Sequence, residues 1–355
     1  MGSMAYECLN KGNQKMKDIC FLDCTLRDGA HVVSGEFKRQ CIVDIVKKLT
    51  CAKVEIVEFG FLKGGNESKD KVYYPQIEDA YTVLDEAGIT GNDSDLPVYA
   101  LMARADDYDI NSLPPANGRI KLIRVAFYYD FLDGGIEFVK KAMELGYICS
   151  INLINTPGST KEELEVFVER VNETVPFAVS IVDTFGVLTL EELEEIFTLY
   201  DTKMHPGIRI GLHVHENLSL AFAMAQHFLK KTKEGRRVIV DGSLMGIGRA
   251  PGNLCTELIA DYLNNFYGKG YEIQTIMAAI NDDIKPFKKD FRWGYAPEYM
   301  LSAKHRVHRS YAEFLESSGV SLDKIDTLLG MIDSEHAKKY SKEYIKDIAR
   351  KRGLL

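Results

Sequence analysis

RIKLIRVAFYYDFLDGGIEFVKKAMELGYICSINLINTPGSTKEELEVFVERVNETVPFAVSIVDTFG, residues 119–186, reads as strand, helix, strand, helix, strand. The apolar runs at 119–127, 147–155 and 177–186 have the length and composition of strands, and 135–145 between the first two is helical in character. The second helix starts at Ser159, where Thr160 and Glu163 stand at capping-box spacing. The rhythm continues in both directions. Toward the N-terminus it gives a strand at the start of FLDCTLRDGAH (21–31), a helix over 36–49, a strand over 54–61, a mobile loop over 63–74, a helix over 75–87 and a strand over 96–103. Toward the C-terminus it gives a helix over 189–200, a strand over 209–217, a helix over 218–231 and a strand over 236–244. Eight strands with helices between them have the spacing of a barrel of ~250 residues. The sequence thus predicts an α/β fold, a (β/α)8 TIM barrel. Past Asn253 only helices follow, broken at Pro286 and at WGYAP (293–297), so a C-terminal helical extension is expected. The organisation read from this is an N-terminal tail over 1–17, a barrel over 18–268 and a helical region over 269–355. Met1-Gly2-Ser3-Met4 reads as a cloning remnant before a second start.

A chain of 355 residues that is 46% hydrophobic and 27% charged is an ordinary globular sequence, which excludes disordered and fibrous classes. The net charge of −8 argues against nucleic acid or a membrane surface as partner, because both call for a basic face. A small-molecule ligand is the expectation. There is no apolar run of about 18 residues and no apolar signal core at the N-terminus. Seven cysteines at irregular spacing, without a CxxC pair, fit reduced thiols in the cytoplasm. Cys24 reads as a packing residue.

The chemistry-bearing residues fall at the strand ends. Arg27, Asp28 and His31 follow the first strand where a strand gives way to a loop, with Gly29 allowing a sharp turn. Glu58 interrupts the apolar second strand and needs a partner, since an unpaired buried charge costs several kcal/mol. His213-Val214-His215 is the most specific signal: two apart on a strand, both imidazoles face one side and can reach one metal ion. Barrel enzymes place their chemistry at this C-terminal face of the sheet. Asp28 falls on the same face and adds an oxygen ligand. The set suits Mn, Mg, Fe or Zn without a firm choice. The glycines of DGSLMGIGRAPGN (241–253) do not open a strand-one helix, which excludes a dinucleotide fingerprint. The loop instead brings backbone and Asn253 close to a ligand, with Arg249 placed to face an anion.

LRDGAH (26–31), IVEFGF with Glu58, VDTFG (182–186), GLHVHENLSLA (211–221) and GIGRAPGN (246–253) together resemble the DRE-TIM metallolyases, the metal-dependent barrels related to HMG-CoA lyase. Within them the chain resembles most the 4-hydroxy-2-oxovalerate aldolase family, through the histidine after RDG and GYAPEYMLSAKH (294–305). The resemblance implies a class II pyruvate aldolase that reversibly cleaves a 4-hydroxy-2-oxo acid to pyruvate and an aldehyde through a stabilised enolate. It implies a divalent metal on Asp28, His213 and His215 with Asn253 on or near it, manganese foremost and Mg, Co or Zn as alternatives. It implies that Arg27 stabilises the enolate, Glu58 holds Arg27, His31 is the general base, and Arg27, Thr184, His213 and Tyr299 contact substrate. It also implies a homo-oligomer and pairing with an acylating aldehyde dehydrogenase through the C-terminal region. Thr184 stands where the family usually has serine, Arg249-Ala250-Pro251 replaces smaller residues, and LKGGNESKDKVYY (62–74) departs from the usual loop. These departures concern the aldehyde pocket. Two alternatives remain at this point. One is a Claisen-type condensation of an acyl-CoA with a 2-oxo acid, as in isopropylmalate or homocitrate synthases. The other is a partner-binding barrel with a structural metal. The lyase acting on hydroxymethylglutaryl-CoA is disfavoured because its Cys-bearing insertion is missing.

Overall fold

The computed structural model describes residues 17–65, 68–91, 96–249 and 251–354. The expected tail over 1–17 lies, apart from Lys17, outside the described residues. The barrel strands are β1 (Ile19–Asp23), β2 (Ile56–Leu62), β3 (Val98–Arg104), β4 (Leu122–Phe127), β5 (Ile148–Leu153), β6 (Ala178–Val182), β7 (Arg209–His213) and β8 (Val238–Gly242). All pair in parallel in chain order, and β1 bonds to both β2 and β8, so the sheet closes into a (β/α)8 barrel. β2, β4 and β6 are buried along their whole length, as parallel strands covered by helices must be.

The interior has two chemically different layers. Leu22, Ile56, Ala100, Leu122, Ala178 and Ile239 form an apolar cluster in the lower barrel. Side chains two residues apart on a strand share a face. Glu58, Arg124, Ser180 and Asp241, each two residues beyond a member of that cluster, therefore form a buried polar layer above it, toward the C-terminal mouth.

The helices α1 (Thr25–Val33), α2 (Arg39–Cys51), α3 (Ile77–Glu86), α4 (Leu132–Glu144), α5 (Lys161–Thr174), α6 (Leu190–Lys203), α7 (Ala221–Lys231) and α8 (Thr256–Tyr267) surround the barrel. The expected capping box is present: Thr160 Oγ1 accepts from the Glu163 backbone at 3.2 Å, and the Glu163 carboxylate accepts from the Thr160 backbone at 2.8 Å. Three local expectations need correction. Arg27, Asp28 and His31 lie on α1, not in a loop, and Gly29 is helical; a Cβ there would press on the Phe37 ring at 2.9 Å. Close packing explains this glycine, with no turn involved. The seventh strand stops at His213, because the chain beyond it bonds to the loop after β8: Glu216 donates to the Gly252 carbonyl at 2.9 Å and His215 bridges Asn253. The segment after β2 ends in a two-residue strand, Tyr73–Tyr74, that pairs with Phe61 and Leu62.

Beyond α8, α9 (Ile273–Ala279) and Trp293 complete the core of the barrel. The helices α10 (Pro297–Lys304), α11 (Ser310–Ser317), α12 (Leu322–Leu329), α13 (Ser334–Ala337) and α14 (Lys342–Lys351) build a separate core from Leu301, Tyr311, Leu315, Ile325, Leu328 and Ile345. This bundle caps one side of the mouth. Arg306 donates to the Pro157 carbonyl at 3.3 Å and pairs with Glu192 at 2.9 Å, Lys338 donates to the Gly158 carbonyl at 3.1 Å, and Asn217 donates to the Tyr299 carbonyl at 3.1 Å. A small apolar cluster of Phe185, Val187, Leu218 and Ala303 joins the two parts.

Candidate active site

Asp28, His213 and His215 come from α1, the end of β7 and the chain just past it, and all three are buried. Their ligand atoms lie within 4.8 Å of one another, a grouping able to hold a metal ion. Each imidazole is oriented by its Nδ1. His213 Nδ1 is 3.1 Å from Asp241 Oδ2 and His215 Nδ1 is 2.7 Å from the Asp183 carbonyl. Partners of this kind fix ring and tautomer, leaving Nε2 free to ligate. His215 Nε2 and Asn253 Oδ1 are buried with no hydrogen-bond partner. Such orphaned acceptors are rare and costly in an apolar interior, and a cation beside them would satisfy both. Asn253 Nδ2 donates to Asp28 Oδ2 at 2.5 Å. The residues present therefore fit a divalent cation. Gly248 closes the cradle, because a Cβ there would collide with the Asn253 amide and the Asp28 carboxylate.

The charges around this set are arranged in a buried relay. Arg27 Nε donates to Glu58 Oε2 at 2.8 Å, and Arg27 Nη1 donates to Asp28 Oδ1 at 2.5 Å. Arg124 donates to Glu58 Oε2 at 2.8 Å and to Asp241 Oδ2 at 2.5 Å. Glu58 thus has two guanidinium partners, which answers how a carboxylate is tolerated within β2. Burial works to raise the Asp28 pKa, but Arg27 and the two histidines outweigh it and hold the carboxyl well below the usual range. Burial likewise opposes ionisation of Asp241, and Arg124 and His213 outweigh it. His213 is driven the other way, its pKa lowered by burial against the pull of Asp241, so the neutral ligating form is favoured.

His31 sits one turn after Asp28 on α1, its Nε2 3.9 Å from Asp28 Oδ1 and its side chain 37% exposed. Loss of hydration lowers its pKa, Asp28 opposes, and Arg249 and Arg27 add to the lowering. The exposed edge keeps the ring partly hydrated, so the shift is smaller than full burial would produce. The result is a neutral imidazole at the rim of the site, able to accept a proton. Thr184 is buried just past β6, its Oγ1 accepting from the Asn155 backbone at 2.7 Å. Tyr299 lies in the cap, and its hydroxyl donates to Glu313 at 3.2 Å. The structure thus brings Arg27, Asp28, His31, Glu58, His213, His215 and Asn253 together, with Thr184 at the mouth and Tyr299 in the layer above. Sequence reasoning missed Arg124, the role of Asp241 beside His213, and His308, whose Nε2 is 2.7 Å from Arg249 Nη2. Cys24 is buried with its thiol toward the Gly242 carbonyl at 3.3 Å, in keeping with packing.

Residues 130–282 match the HMGL-like family model. The chain is 25% identical over 280 residues to 4-hydroxy-2-oxovalerate aldolase 6 of Rhodococcus jostii, covering 78% of this chain and 76% of the relative. It is 27% identical over 274 residues to the 4-hydroxy-2-oxovalerate aldolase of Geobacillus stearothermophilus, covering 77% of each. Among solved structures it resembles the N-terminal domain of a candidate aldolase from Bacteroides vulgatus, with TM-score 0.74, 21% identity, and 86% and 98% of the two chains covered. It also resembles the carboxyl transferase domain of Rhizobium etli pyruvate carboxylase, with TM-score 0.67, 14% identity, 97% of this chain and 61% of that chain. These structural likenesses show the fold, and the second extends over the C-terminal helices.

Proposed function

We propose that the protein is a divalent-metal-dependent pyruvate aldolase that cleaves a 4-hydroxy-2-oxo acid to pyruvate and an aldehyde, reversibly. The observation that carries this is the buried Asp28, His213 and His215 set, with His215 Nε2 and the neighbouring Asn253 Oδ1 orphaned and Arg27 and His31 on the same short helix as Asp28. The names of the curated relatives agree with it. A cation held there, manganese by expectation, would supply fixed positive charge to the keto and carboxylate oxygens of a 2-oxo acid.

The chain's own groups do the rest. His31 accepts the proton of the 4-hydroxyl, and the C3–C4 bond breaks to release the aldehyde and leave the pyruvate enolate. Arg27, locked by Glu58 and already desolvated, stabilises the negative charge that develops, without reorganising. A proton from water completes pyruvate at C3 while His31 gives the proton it took back to water, and condensation runs the same steps in reverse. Thr184 and Tyr299 belong to this reading as substrate contacts. So does an acylating aldehyde dehydrogenase docked on residues 269–355, which a pull-down from native lysate that returns no dehydrogenase would remove.

The decisive experiment is pyruvate release from 4-hydroxy-2-oxovalerate, coupled to lactate dehydrogenase, with Mn²⁺ and with chelator. Metal-dependent release supports the aldolase. No release from any 4-hydroxy-2-oxo acid, together with thiol release from an acyl-CoA and a 2-oxo acid, would replace it with the condensing reaction.

A further inference from the structure

Above the metal-ligand set lies a group of cationic donors that lacks an acceptor. Arg249 is tied to the centre by its backbone, whose N–H donates to Asp28 Oδ2 at 3.3 Å. Its side chain runs into the cap, where Nη2 meets His308 Nε2 at 2.7 Å and Nε is buried without a partner. Among the described residues no carboxylate forms an ion pair with this guanidinium. His308 is also over-supplied with donors, because its Nδ1 faces the Ser310 backbone N–H at 3.2 Å. A neutral imidazole accepts at one nitrogen only, so one hydrogen in this group points at no acceptor. Next to it, Arg309 spends one nitrogen on Glu313 at 2.5 Å, while its Nε is buried and unpartnered. Glu313 Oε1 is shared with the Tyr299 hydroxyl. Two guanidiniums against one carboxylate leave a net positive charge in a desolvated place, which is costly unless something negative completes it. Arg309 follows His308 directly in the chain, so the guanidinium that meets His308 and that of Arg309 belong to one group.

We infer that Arg249, Arg309 and His308 form an anion-binding subsite for the distal end of the substrate, so that the aldehyde released carries a carboxylate or a phosphate. The inference rests on the aldolase reading for its reaction. Guanidinium groups bind both anions through paired N–H bonds. The subsite spans the loop after β8 and the cap, so only a substrate reaching from the metal-ligand set toward α11 engages it.

The test compares kcat/KM for pyruvate release from three substrates differing only at the far end: 4-hydroxy-2-oxovalerate, 4-hydroxy-2-oxoglutarate and the 4-hydroxy-2-oxovalerate bearing a 5-phosphate. One charged substrate should exceed the uncharged one by at least about tenfold, and which one it is identifies the anion. That preference should fall at least about tenfold in Arg309→Gln, through KM, and less in Arg309→Lys. Equal rates on all three, or an equal loss on all three in Arg309→Gln, would overturn the subsite. A binding measurement separates it from the reaction: calorimetric titration of the Mn²⁺-loaded protein with inorganic phosphate should show binding that weakens at least about tenfold in Arg309→Gln, with circular dichroism confirming the fold. Phosphate binding lost in that variant without turnover of any substrate would remove the aldolase and keep the subsite. Pyruvate release with neither phosphate binding nor charge preference would do the reverse.

Discussion

Arg124 shows what a single residue can hold. It is among the largest fully buried side chains, and it joins Glu58 under Arg27 to Asp241 beside His213. Removing one member of a buried ion network strands the others, at about 3–5 kcal/mol. Arg124→Met is therefore expected to lower stability by about that amount, read from urea unfolding. Asp241→Asn leaves the His213 ring without its charged partner and is expected to weaken Mn²⁺ affinity by about 10–100-fold, measured by metal titration. His31 should behave differently. His31→Ala is expected to cut aldol turnover by about 10²–10⁴-fold while leaving metal affinity nearly intact, whereas His213→Ala should lose both. Equal metal loss in the two variants would make His31 a ligand. Its lowered pKa also sets a sign: a base stays competent until pH falls through its pKa. The acid limb of kcat/KM should thus lie below the ordinary histidine value of about 6.5, in a pH profile recorded at saturating Mn²⁺. Arg124 was legible in principle, since it interrupts LIRVAF as Glu58 interrupts IVEFGF, and both sit two residues past an inward apolar side chain. Tyr299 is the opposite case, since its position depends on how the cap docks.

At the level of elements, the alternation of strands and helices was plain because parallel barrel strands are buried on both faces and read as apolar runs. What periodicity could not show is where a hydrogen-bond ladder ends. His213 and His215 were expected on one strand face, yet His215 reaches the site from a segment bridged to Asn253. Likewise α1 is too short and too polar to announce itself: nine residues with Arg27, Asp28 and Gly29 inside, held helical by burial under the loop after β8. That loop's tightness can be tested directly. Gly248→Ala puts a methyl where Asn253 and Asp28 approach, and metal affinity should drop by at least about tenfold with little change in far-UV circular dichroism.

Across the whole molecule, the sequence marked a helical region after the barrel but not its place, because docking over the mouth is set by contacts such as Arg306 with Glu192 and Asn217 with Tyr299. Those contacts are mostly polar and partly exposed, each contributing modestly. The cap keeps its own apolar core, which the barrel does not share. The two parts need not melt together, so cooperativity should break at their seam. Amides of α11 and α12 should exchange with solvent at a lower free energy than those of β4 and β5. A ligand that touches both parts would act as a latch, by mass action closing the gap between the two exchange rates as its concentration rises.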